Sequence, residues 1–397
     1  MLSEIRKKKL ESNIWKFYLY RVFSSLTFIG PIFVLFYQEN GLSMTQVMIL
    51  QAIYTGTIML MVIPAGIAAD YIGRKKVLIA NAVLYTLGWA LFALSHSFIG
   101  FLIAEITVAL SAAMWMASGT AFFYDTLREL DREGSYKRLF GKVVGINNAM
   151  WAIAALIGGY IATYSLRLPF WASVITVFFS ILITLSFTET REYKHGDKHY
   201  FAHLKEASKF AAQHPRIRLF IIYSAIFVSI FFTCFMLYQP YLKSISIPLV
   251  YFGWIYFAMN MLAAFGSRFA YKFEELLGER NILIFLLVIA ISCIFGMSKG
   301  FMILGVIFPI LLFFTIGIFE PVMSDYINKH TESRHRATVI SLQELIMRLF
   351  SSIIAPFFGW MVDFWSLATA FKAAVIILIV NLFILIGVFT IIRRRER

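Results

Sequence analysis

The feature that most constrains this chain is a run of apolar stretches, each about as long as a bilayer is thick, separated by short polar joints. A helix needs about 20 mostly apolar residues to cross the hydrocarbon core. Twelve stretches qualify: 14–38, 43–69, 76–95, 98–125, 139–163, 168–188, 217–242, 248–271, 281–298, 301–327, 337–362 and 367–392. The first is too long for a signal-peptide core and no cleavage pattern follows it, so it reads as a retained span. With 60% hydrophobic and only 15% charged residues, the composition excludes a soluble enzyme, a disordered chain and a nucleic-acid binder. The expected fold class is an all-α polytopic membrane protein of twelve transmembrane helices in two pseudo-symmetric six-helix halves.

Charge placement sets the orientation. The net charge is +14, and thirty of the 36 Lys and Arg fall in the N-terminus, the tail and the loops on one side of this arrangement. Only Arg167, Lys243 and Lys299 fall in loops on the other side, and Arg21, Arg348 and Lys372 fall within spans. The positive-inside rule then puts both termini in the cytoplasm. Cys234 and Cys293 lie inside apolar runs without metal-ligand spacing and read as packing residues.

The longest polar stretch, Glu189 to His214, divides the spans six and six. The expected domains are 1–188, a linker 189–215, and 216–397. Within the linker, Phe201, Leu204, Ala207 and Ala211 are spaced as on an amphipathic surface helix, with a plain solvated linker as the alternative. The halves repeat. Asp70 to Ile79 after span two matches Glu275 to Ile284 after span eight at an offset of 205. Tyr37-Gln38 matches Tyr238-Gln239 and Asp125 matches Asp325, at offsets of 201 and 200. Repeated halves place a binding site near the midplane between them.

The segment Gly66-Ile-Ala-Ala-Asp70-Tyr-Ile-Gly73-Arg74-Lys75-Lys76 resembles the G-x-x-x-D-x-x-G-R-[KR]-[KR] signature of the major facilitator superfamily. The resemblance covers almost the whole chain, in a form similar to the drug and small-molecule efflux members. It implies alternating access, a small-molecule substrate, a monomer, and a bacterial-type inner-membrane location. It also implies a gating cluster of Gly66, Asp70, Gly73, Arg74, Lys75 and Asp125 that latches the halves. On the residues alone, Gly66 permits close helix packing and Gly73 a tight reversal. Asp70, at an unfavourable helix end, needs a cation such as Arg74. Two efflux signatures are altered. Glu105 stands where span four of the antiporters carries arginine, and span five has Gly145, Ala154, Ala155 and then Gly158-Gly159 in place of a Gly-Pro pattern.

Ionisable groups inside the bilayer are costly and mark function by default. Glu105, Glu320 and Glu344 are the proton-coupling candidates, since low dielectric favours the protonated carboxyl. A hydrogen bond to a neighbouring helix is the plainer role for Glu105, and an internal pair with Arg348 is the plainer role for Glu344. Arg21 has two readings, a pair with Glu320 or a substrate contact. Arg21, Arg348, Gln38, Tyr54, Trp115, Asn147, Tyr238, Gln239, Asn260 and Gln343 are the cavity candidates, a mostly apolar set with orienting polar groups. For each uncharged member, helix packing is the competing role. Pro356, Gly359 and Asp363 look like the helix-bend elements of the same superfamily in span eleven, with a packing kink as the alternative.

No phosphate-cradling loop, zinc motif or nucleophile elbow is present, so no cofactor and no enzymatic activity are expected. The leading reading is a proton-coupled exporter of amphipathic, drug-like compounds. The alternative is proton-coupled uptake of a sugar or organic anion, with Arg21 and Arg348 holding the anion.

Overall fold

In hydrocarbon no water is present to take a backbone hydrogen bond, so a spanning chain must close its bonds within each segment. The computed structural model follows that demand: it is 88% helical with no strand among the described residues. It describes residues 3–191, 208, 210–211, 213–332 and 335–395. The proposed amphipathic linker helix, with Phe201, Leu204 and Ala207, lies outside them.

Among the described residues, twelve helices follow in order. They are α1 (Glu4–Ser25), α2 (Phe33–Glu39), α3 (Met44–Ile72), α4 (Arg74–Leu94), α5 (Phe98–Glu129) and α6 (Tyr136–Ala162). Then come α7 (Leu168–Leu185), α8 (Pro215–Ser244), α9 (Val250–Ser298), α10 (Ile307–His330), α11 (Arg336–Phe364) and α12 (Leu367–Arg395). Ten are long and apolar enough to cross a membrane. The 49-residue α9 holds Gly278 at φ 74°, where the chain turns between two spans. The first crossing is split into α1 and α2. Counted so, the crossings are the twelve expected, but the first is a broken helix rather than one continuous rod.

By internal contacts the chain forms two units, Met1–Leu42 with Ile53–Gly196, and Ser43–Ala52 with Asp197–Arg397. In the first, the break between α1 and α2 frees backbone groups that α6 and α7 must serve. The Thr176 hydroxyl donates to the Leu26 carbonyl at 2.7 Å, and the Phe28 amide donates to Ser173 Oγ at 2.9 Å. The Phe28 carbonyl presses so close to Gly158 that a Cβ there would overlap it. Aromatic rings fill one end of the unit around Phe17, Phe122, Phe123 and Phe187, and the other around Phe36, Tyr37, Phe92, Phe101 and Phe170. At the latter end Arg167 ties three elements. It donates to the Ala93 and Ser95 carbonyls and to Asn40 Oδ1, and its guanidinium lies 5.0 Å from the Phe36 ring centroid.

In the second unit Tyr223, Phe227 and Phe319 stack, with the Tyr223 hydroxyl bonded to the Leu283 carbonyl at 3.0 Å. Cys234 and Cys293 are buried free thiols. Asp363 accepts from the Met44 and Thr45 amides at 2.9 and 2.8 Å and from the Thr45 hydroxyl at 2.6 Å, capping α3 from outside its own helix. Gly359 lies against the same turn, where a Cβ would stand 2.6 Å from the Met44 carbonyl oxygen. Read from sequence as bend elements, Gly359 and Asp363 instead dock a helix end, because a helix N-terminus offers unpaired amides that a carboxylate satisfies.

A contrast between two glycines of α6 tests the packing. The space beside Gly145 is open, whereas Gly158 faces backbone that cannot yield. Gly158→Ala should cost about 1–3 kcal/mol of overpacking and lower the thermal unfolding midpoint in detergent. Gly145→Ala should leave the midpoint unchanged or raise it slightly, as alanine favours helix.

Candidate functional site

The chain reversals after α3 and inside α9 have the same backbone form. Gly73 has φ 94° and Gly278 φ 74°, so the sequence repeat is also a structural one. Around Gly73 the structure builds more than a turn. The Glu189 carboxylate accepts from the Lys75 amide at 3.1 and 3.2 Å, capping the start of α4. A Cβ on Gly73 would stand 2.6 Å from that carboxylate. The glycine therefore supplies both the left-handed turn and the seat for an acid 116 positions away in sequence. Gly278 has no such neighbour within 4 Å.

Charges gather at this end of the first unit. Arg74 pairs with Asp125 at 2.9 Å, so the acid of α5 joins the signature as the resemblance implied. Asp70, for which Arg74 was the expected partner, makes no ion pair or side-chain hydrogen bond among the described residues. The geometry gives Arg74 to α5, whose Asp125 is buried at 4% exposure and has the greater need of a cation. Lys75 enters through its backbone amide. No atom lies within 4 Å of where a Gly66 Cβ would stand, so close packing at Gly66 is not realised in this structure. The sequence reading missed the surrounding ties. Arg6 meets buried Glu129 at 2.7 Å and donates to the Glu189 carbonyl at 3.3 Å. Asn13 and the Thr188 backbone bond reciprocally at 2.9 Å, and Arg191 donates its amide to Glu129 at 3.0 Å.

Deeper in the same unit, the Arg21 guanidinium lies 4.3 Å from the Trp115 ring centroid and donates to Asn147 Oδ1, which also accepts from Ser25 at 2.9 Å. Three of the cavity candidates thus meet. Arg21 forms no ion pair among the described residues, and its Nε is buried without an acceptor. Next to it Tyr20 donates to Asn81 at 2.7 Å, and Asn81 in turn bonds the Ser111 carbonyl and hydroxyl, each at 2.8 Å. Glu105, 2% exposed, accepts from the Tyr37 hydroxyl at 2.5 Å, with Phe101 edge-on to Tyr37 at 4.9 Å. The hydrogen bond to a neighbouring helix, the plainer expectation for Glu105, is what the structure shows. Its partner is a member of the repeated Tyr-Gln pair. Gln38 and Tyr54 are half-buried.

In the second unit Glu344 and Arg348 face each other one turn apart at 3.6 Å, both substantially exposed, and the Glu344 charge acts on Glu320 of α10. Gln343 is buried and donates to Ser224 at 2.8 Å, Gln239 donates to the Tyr238 hydroxyl at 3.3 Å, and Asn260 bonds its own helix at Tyr256. Of the three, Gln343 joins another helix, whereas Gln239 and Asn260 bond within their own.

The Glu189 seat makes two measurable statements. Left-handed φ costs a non-glycine residue about 1–2 kcal/mol, so Gly73→Ala and Gly278→Ala should both lower the thermal unfolding midpoint. Gly73→Ala should lower it further, and the excess should vanish in a Glu189→Ala background. Burial holds the Glu189 carboxyl above the ordinary carboxylate range, against the downward pull of the Lys75 and Thr190 amides and the Lys75 and Lys76 charges. The folded protein then binds this proton more tightly than the unfolded chain. Its contribution to stability is greatest at acid pH and falls as pH rises from the ordinary value through the raised one. Midpoints recorded between about pH 4 and pH 7 should show that slope reduced in Glu189→Gln.

Comparison with known proteins agrees with this architecture. The "Uncharacterized MFS-type transporter YxaM" of Bacillus subtilis (strain 168) is 22% identical over 372 residues, 90% of each chain. The "Quinolone resistance protein NorA" of Staphylococcus aureus is 23% identical over 155 residues, 39% of each chain. Among solved structures, a mutant of the nucleoside transporter NupG superposes with a TM-score of 0.82 at 13% identity, covering 96% of this chain and 99% of that one. A bacterial homologue of the human lysosomal transporter Spinster, inward-facing and unoccupied, gives 0.75 at 16% identity and 98% coverage of both. The model of the Major Facilitator Superfamily matches residues 22–324, and with the paired Gly73 and Gly278 reversals and the Arg74–Asp125 contact in place, the chain belongs to that superfamily of membrane transporters.

Proposed function

We propose that this transporter is a proton-coupled exporter of amphipathic small molecules. It works by alternating access of two six-helix halves, 1–188 and 216–397, joined by the linker 189–215. It sits in the plasma (inner) membrane as a monomer with both termini cytoplasmic, the orientation supported by the thirty basic residues on one side. In that orientation the Gly73 and Gly278 turns are cytoplasmic, and the Arg74–Asp125 pair is part of a gate.

The observation that carries proton coupling is the arrangement of intramembrane carboxyls. Glu344 is exposed and held only loosely by Arg348 at 3.6 Å. Glu320 feels its charge. Carboxyls inside a span are costly when ionised and mark function by default. Arg348 can stabilise whichever carboxylate is ionised. Glu105, enclosed by rings and bonded to Tyr37, holds or loses its proton only when that enclosure rearranges, which suits a group linked to the conformational cycle. Export is supported by the similarity to a quinolone resistance protein over 39% of the chain. It is also supported by the many aromatic side chains along these helices, a surface that accepts apolar bodies.

The test is reconstitution in liposomes with a trapped pH dye. Addition of an amphipathic substrate should drive proton movement. Glu344→Gln should reduce that flux at least tenfold while leaving the protein folded, and Glu105→Gln should slow it. Substrate-driven flux that survives Glu344→Gln and Glu105→Gln together would overturn the assignment of the carriers. Flux elicited instead by a sugar moving inward would replace export by uptake.

A further inference from the structure

Arg21 is the one intramembrane cation of the first unit, and the fold leaves it without a charged partner among the described residues. Its neighbours are committed to one another. Tyr20, Asn81 and Ser111 close a hydrogen-bond chain across α1, α4 and α5. Ser25 joins α1 to Asn147 of α6 without help from Arg21. The polar network is complete if the arginine is removed, so helix packing does not explain a permanent cation here. A guanidinium carries five N–H donors. Among the described residues Arg21 donates to one acceptor, Asn147, and its buried Nε has none. The Trp115 ring lies 4.3 Å from the guanidinium but accepts nothing along its edge. A flat, oriented, unneutralised fork in low dielectric is the form that binds a carboxylate through two parallel bonds.

The path to it is polar. Asn147 donates to its neighbour Asn148 at 3.4 Å, and Asn148, near the middle of α6, is exposed. An amide facing hydrocarbon would forfeit its hydrogen bonds, so this face of α6 fronts water rather than lipid tails. Trp151, one turn on, is 50% exposed and offers a ring beside the same path.

We propose that Arg21, Trp115 and Asn147 form an anion subsite that takes the carboxylate of an amphipathic aromatic acid, with the apolar body of the ligand lying along Trp151. The proposal rests on the transport reading and narrows it: the cargo carries an acidic group. A lipid phosphate offers the same chemistry at the guanidinium, and the experiment separates the two.

The full-length protein is placed in nanodiscs of phosphatidylcholine, and binding of 2-naphthoate and its uncharged isostere 2-naphthamide is measured by calorimetry. The acid should bind at least tenfold more tightly than the amide. Arg21→Gln should abolish that preference, and Arg21→Lys should keep part of it, since a point charge lacks the fork. Equal binding of acid and amide to the unaltered protein would overturn the subsite, a result that needs no variant to fold. A preference that survives Arg21→Gln would overturn it as well. Competition of naphthoate by added phosphatidylglycerol would give the cation to a lipid headgroup and overturn the substrate assignment. The liposome assay distinguishes the two readings. Flux with a neutral or cationic amphiphile, alongside no preference for the acid, leaves transport standing without the subsite. A preference at Arg21 with no flux for any compound leaves the subsite and removes proton coupling.

Discussion

The structure depends on one constraint: inside a membrane each peptide group must find its hydrogen bond within the protein. Helices meet it locally, which is why 88% of the structure is helical. Where a helix stops inside the bilayer, the constraint passes to side chains of the neighbours. Between α1 and α2 it falls on Thr176, Ser173 and the missing side chain of Gly158. Helix ends at the edges of the apolar runs are capped in the same way, the start of α3 by Asp363 and the start of α4 by Glu189. Residues that do not stand out in a hydropathy plot thus hold the ends of helices in place, and helix ends are where a transporter must be able to change.

Much of the fold was legible because hydropathy reports directly on this constraint. The apolar lengths gave the crossings and their order. What they missed was local. The first crossing is broken, and the signal, Gly30-Pro31 inside the apolar run, is a recognised chain breaker. The Gly73 turn was legible from the signature and from its second copy at Gly278, since both need a left-handed residue. Its occupant, Glu189, was not, because a contact between positions 116 apart leaves no periodic trace. Asp70 shows the limit of reading charge from neighbours in sequence. Arg74 is close along the chain, yet tertiary packing offered it a more deeply buried acid in Asp125.

The candidate site was legible as a set of residue types and not as a geometry. Arg21, Trp115 and Asn147 were each singled out, and the structure joins them. Glu105 and Tyr37 were noted for separate reasons, one as an intramembrane acid and one as part of a repeat, and they are bonded to each other. Asn260, Gln343 and Gln239 went the other way. Amides in spans pointed to a cavity, and each bonds a nearby hydroxyl or carbonyl. Only the Arg21 Nε is left buried without an acceptor among these residues, a feature that a structure displays and a sequence does not.

That distinction also divides labour among the charges. A carboxyl can lower its own cost in low dielectric by taking a proton. Arginine has no such exit, because its guanidinium keeps its proton throughout the biological range. A buried arginine must therefore be balanced by something that arrives with the opposite charge. Arg348 is partly exposed and lies 3.6 Å from Glu344 one turn away. Arg21 is given an amide and an indole, which orient the cation without neutralising it. In the proposed cycle, proton coupling is therefore assigned to the acids and charge recognition of the cargo to Arg21.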